Sequence, residues 1–84
     1  MKRITVKNKD GYSIHEESVV DAIQRLGEFE DAYADLMYSQ AQIPKELEQL
    51  RLHGKEKTVS YKEMVAQKLI NNSIVMFFER NGLK

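Results

Sequence analysis

The chain has no cysteine, so no disulfide can brace it and no thiolate can act as nucleophile or metal ligand. It has only two histidines, His15 and His53, far apart and without a close-spaced partner, which leaves no zinc-type ligand set. Its four glycines form no phosphate-cradling loop, and no serine is spaced with a histidine and an aspartate as a nucleophilic triad would be. Long apolar runs are also missing. The most apolar stretch, Leu69 to Lys84, is interrupted by Asn71, Asn72, Ser73, Glu79 and Arg80, well short of the ~20 residues that span a bilayer. The opening MKRITVKNKDGY passes from basic to polar with no apolar core behind it, unlike a signal peptide. From these absences we expect a cytoplasmic, non-enzymatic protein without membrane attachment, cofactor or metal.

What remains is 84 residues with a formal net charge of zero. A chain of that length reads as one domain, 1–84, that buries only roughly 60 to 65% of the surface its unfolded form exposes. With disulfides and metals excluded, association is the remaining common way for so small a scaffold to cover apolar surface. The charge is unevenly placed. Residues 1–12 carry Lys2, Arg3, Lys7 and Lys9 against Asp10, and residues 13–50 carry Arg25 and Lys45 against nine acids. Residues 51–84 are basic again, through Arg51, Lys55, Lys57, Lys62, Lys68, Arg80 and Lys84 against Glu56, Glu63 and Glu79. An acidic middle between basic ends favours side-by-side packing of those segments.

Ile4 and Val6 alternate with polar neighbours before the turn pair Asp10-Gly11, so the spacing predicts a short strand, with Tyr12 to Ile14 able to return as a second one. Ser13-x-x-Glu16 has capping-box spacing, and the acids that follow suit a helix N-terminus. From there Val19, Ala22, Leu26, Phe29, Tyr33 and Leu36 recur at intervals of three and four, which predicts a long amphipathic helix from about Ser13 to about Gln40. Gly27, inside it, marks a close helix crossing or a bend. Ile43-Pro44 reads as its end and as the start of a short helix, Lys45 to His53, stopped by Gly54. Ser60-x-x-Glu63 repeats the capping spacing and opens a last helix, for which Asn81-Gly82-Leu83 supplies a stop. The expected fold is therefore mainly α: an N-terminal β-hairpin or strand, then a helical hairpin of long helix, short helix and long apolar C-terminal helix, the last packed antiparallel to the first.

The last helix has apolar residues on two sides. At about 100° per residue, Tyr61, Met64, Val65, Leu69, Val75 and Met76 share one broad face, suited to the first helix, while Ala66, Ile70, Ile74, Phe77 and Phe78 lie roughly opposite. A second apolar face of this kind marks an interface. Ile70, Ile74, Phe77 and Phe78 are accordingly the candidate self-association residues of a homodimer, the commonest soluble assembly. Two other covers stay open: the hairpin of the same chain, and a helix of a different protein. Asn71 and Asn72 either face solvent or place one buried amide that fixes register.

Several chemical readings are weaker. His15-Glu16-Glu17 are adjacent on the chain and do not converge on one ion, and Glu28, Asp31 and Asp35 suit a solvated face better than a hard-cation site. The segment 60–83 imitates a helix-turn-helix, but its second helix would offer Ile74, Val75, Met76, Phe77 and Phe78 to the bases, with Arg80 alone basic. Contact with nucleic-acid phosphates through Arg51, His53, Lys55, Lys57 and Lys62 is the alternative function, disfavoured against pairing of these bases with the acidic helix.

Overall fold

Backbone chemistry at the N-terminus sets the first element. The structure, a computed structural model, describes residues 1–83. Lys9 and Asp10 form a two-residue turn, and Gly11 follows with φ +135°, a conformation open to glycine because it has no Cβ. The chain reverses there into two antiparallel strands, β1 (Val6–Asn8) and β2 (Gly11–Ser13), with Val6 opposite Ser13 and Lys7 opposite Tyr12. Three-residue strands are too short to stand alone. Side chains add to the pairing: the Asn8 amide donates to the Ser13 hydroxyl at 3.1 Å, and the Arg3 guanidinium lies 5.8 Å from the centre of the Tyr12 ring.

Ser13 is thereby held in a strand and cannot cap a helix, so the expected Ser13–Glu16 capping box does not form. A single 3₁₀ turn, Glu16–Ser18, intervenes, closed by the Ser18 amide donating to the His15 carbonyl at 2.9 Å. The long helix, α1, then runs Val19–Leu52 and the second, α2, runs Val59–Arg80. The expected break at Ile43-Pro44 is absent: Pro44 lies inside α1, and the anticipated short helix is the C-terminal part of α1. An interior proline forfeits one hydrogen bond and crowds the carbonyl four residues back, at a cost of about 3 kcal/mol. Burial offsets it, because Ile43, immediately before Pro44, and Leu47, three residues after it, are the two buried apolar residues among the described residues. Each contributes about 1.5–3 kcal/mol on removal from water.

Helix ends follow local chemistry closely. Gly54 takes φ +68°, the Lys55 amide donates to the Leu50 carbonyl at 2.8 Å and the Gly54 amide to the Arg51 carbonyl at 3.1 Å, a Schellman stop. The end of α2 repeats it: Gly82 has φ +82°, with Leu83 donating to Phe78 at 2.9 Å and Gly82 to Glu79 at 3.0 Å. At the start of α2 the cap is Thr58, whose hydroxyl accepts from the Tyr61 amide at 3.2 Å, and not Ser60, which is already helical. The Thr58 hydroxyl also donates to the Lys55 carbonyl at 2.7 Å, tying cap to connector.

Contacts divide the chain into two units, Met1–Tyr33 and Ala34–Lys84. In the first, Arg25 of α1 donates to the Lys2 carbonyl, holding the N-terminal segment beside the helix. An open groove of roughly 710 Å³ there is lined by Met1, Ile4, Ala22, Leu26 and Phe29 among others. The second unit is an antiparallel helical hairpin. Gln40 bonds to Asn72 and Arg51 to Tyr61, so the same eleven-residue step separates the two contacts on each helix, run in opposite directions.

Candidate functional site

The hairpin seam decides which side chains are left for function. Along the C-terminal part of α1 the half-buried or buried positions include Leu36, Gln40, Ile43, Leu47 and Leu50, at intervals of four and three, with Met37, Ser39 and Gln42 half-buried on their flanks. Along α2 they are Tyr61, Met64, Val65, Asn71, Asn72, Val75 and Phe78. Such spacing is the signature of a coiled-coil-like antiparallel pair. Four expected seam residues of α2 are in place: Tyr61, Met64, Val65 and Val75. The other two, Leu69 and Met76, are exposed, because both lie well round the helix from the stripe that the 4–3 spacing selects.

In their place is a polar layer. Asn71 is only 3% exposed, and its amide is used at both ends: Nδ2 donates to Ser39 Oγ at 3.0 Å and Oδ1 accepts from Gln67 Nε2 at 2.8 Å. Beside it Gln40 Nε2 donates to Asn72 Oδ1 at 2.8 Å. No buried side-chain nitrogen or oxygen among the described residues lacks a partner. Satisfied polar layers of this kind tie two helices in one register, since a slip would bury the amides without partners. The solvent-facing reading of Asn71 is thus replaced by the register-fixing one.

The outward face of α2 is apolar and uncovered. Ile70 is 53% and Phe77 54% exposed, and Ile74, Leu69 and Met76 are exposed with them. Ile70, Ile74 and Phe77 therefore lie where the sequence puts the association surface. Phe78 sits on the half-buried flank of the seam, its ring 6.3 Å from that of Phe77. Arg80 stacks over Phe77 at 5.5 Å from the ring centre, a basic side chain at the C-terminal end of the apolar stripe.

The candidate phosphate-contacting residues are distributed along the connector and its borders. Arg51 donates to Glu48 at 3.1 Å and to the Tyr61 hydroxyl at 3.1 Å. The Tyr61 bond, first among several influences, raises the Arg51 pKa above its already high ordinary value, so the group is charged throughout the working range. This engagement commits Arg51 to the hairpin. Lys55, Lys57 and Lys62 are exposed, and His53 Nδ1 lies 2.7 Å from the Gln49 carbonyl oxygen. His15, Glu16 and Glu17 are exposed around the 3₁₀ turn, and Glu28 accepts from Gln24 at 2.9 Å. Among the described residues no group of three or more His, Asp or Glu side chains is placed to hold a metal ion, and no helix is long and apolar enough to cross a membrane.

Fold and surface together define a small helical protein: a two-stranded β-hairpin followed by an antiparallel helical hairpin whose second helix is apolar on its outer side. The chain matches no protein-family model, no curated protein and no solved structure.

Proposed function

We propose that the protein is a non-enzymatic interaction or accessory protein of the cytoplasm that self-associates, as a homodimer, through the outer face of α2. One observation carries this reading: Ile70, Ile74 and Phe77, with Leu69 beside them, are exposed on a helix whose opposite side is already committed to α1. A chain whose buried apolar residues, among those described, are Ile43 and Leu47 gains little stability within itself, and covering the outer stripe at about 25 cal/mol per Å² supplies what the small core does not. A contiguous apolar stripe rimmed by polar residues is also the usual mark of an association site. Ile70→Asp places a charge in the middle of that stripe, where the side chain is exposed and the hairpin does not depend on it. The variant keeps its far-UV helicity and loses association; retention of the wild-type mass by a folded Ile70→Asp chain refutes the assignment.

A further inference from the structure

We propose that the face covering the outer stripe of α2 is the N-terminal part of α1, Val20, Ile23 and Leu26, from a second copy of the chain. The inference rests on the self-association reading and specifies its partner surface. Val20, Ile23 and Leu26 are strongly exposed, Ile23 at 67% and Leu26 at 58%, and Val19 beside them is exposed as well. At about 100° per residue they form one stripe, and Gly27 lies on it. An added Cβ at Gly27 meets nothing within 4 Å in its own chain, so no intrachain crossing explains the glycine. A helix arriving from another copy gives it the role of close approach.

Length and charge both fit. Val19 to Phe29 spans about 15 Å of helix and Ala66 to Phe77 about 16 Å, at 1.5 Å per residue. Acids bracket the α1 stripe: Glu16 and Glu17 precede it, Glu30 and Asp31 follow it. Arg25, the sole lysine or arginine between residues 13 and 44, turns away to the Lys2 carbonyl. The α2 stripe ends instead in Lys62, next to Glu63, and in Arg80, next to Glu79. Two α1 stripes facing each other oppose four carboxylates with four. Two α2 stripes facing each other leave Val20, Ile23 and Leu26 bare on every copy. Pairing α1 of one copy with α2 of another covers both stripes and sets acid near base in either helix direction.

Complementation tests it. Ile23→Asp and Ile70→Asp chains are prepared separately, checked for helicity, and measured for mass alone and mixed. Each variant alone lacks one half of every contact and is expected at the single-chain mass of 9.8 kDa. Mixed, the intact α1 stripe of one meets the intact α2 stripe of the other, association returns, and it weakens as salt is raised. If Ile23→Asp stays associated like the wild type while Ile70→Asp does not, α2 pairs with itself; this proposal falls and the self-association reading stands. A mixture that stays at the single-chain mass also overturns it. A wild-type chain that is single at every concentration removes both readings together.

Discussion

At the scale of single residues, Asn71 carries the most consequence. Its side chain bonds in two directions while buried, so truncation leaves Ser39 and Gln67 to find other partners and opens a gap in the seam. Asn71→Ala is expected to destabilise the chain by about 1–3 kcal/mol, read as a lower urea midpoint with an unchanged slope; an unchanged midpoint would mean that the layer adds nothing. Thr58 is a second single-residue determinant, because its hydroxyl accepts from Tyr61 at the head of α2 and donates to Lys55 behind it. Thr58→Ala should cost about 1 kcal/mol, whereas Ser60→Ala, at the cap that spacing alone suggests, should cost markedly less. Thermal melts of the two variants side by side test the assignment of the cap.

At the scale of elements, the instructive case is Pro44. Proline after a periodic stretch reads as a boundary, yet α1 continues through it, since the two turns around it hold Ile43 and Leu47 against α2. Local propensity loses to tertiary burial by a margin that can be measured. Pro44→Ala restores the missing amide and should stabilise the protein by about 2 kcal/mol, the helix gain less the extra freedom of the unfolded chain; no gain, or a loss, would contradict this account. The N-terminal hairpin, the long amphipathic helix and both glycine stops are legible in the sequence because each is set by a local rule, although the hairpin turns at Lys9-Asp10, one residue before the expected pair Asp10-Gly11, and Ile4 lies outside its strands. Burial of Asn71 is not legible that way, because hydropathy assigns an amide to solvent. It emerges only when the 4–3 spacing is carried from Tyr61 and Met64 past Lys68. For the same reason Leu69 and Met76 look like core residues and are exposed, and Ser13 looks like a helix cap and is a strand residue.

At the scale of the whole molecule, two apolar stripes remain uncovered, one on the outer side of α2 and one on the N-terminal part of α1. The outer stripe of α2 is legible as an uncovered apolar face because Ile70, Ile74 and Phe77 repeat at helical spacing opposite the seam. The α1 stripe is not, because its spacing is the one that any core-facing helix shows. Phosphate contact is argued at this scale too. Arg51 is engaged by Glu48 and Tyr61, leaving Lys55, Lys57 and Lys62 as exposed bases. We expect no retention on a DNA column at low salt. Salt-sensitive retention that disappears when Lys55 and Lys57 are both replaced by glutamine would assign the connector to phosphate instead.

Light-scattering mass across a concentration series, for the wild type and for Ile70→Asp, tests the central claim most directly. The account predicts a wild-type mass above 9.8 kDa that approaches twice that value as concentration rises, and a helical Ile70→Asp chain at 9.8 kDa throughout. A wild-type chain that stays at 9.8 kDa over the whole series would contradict it.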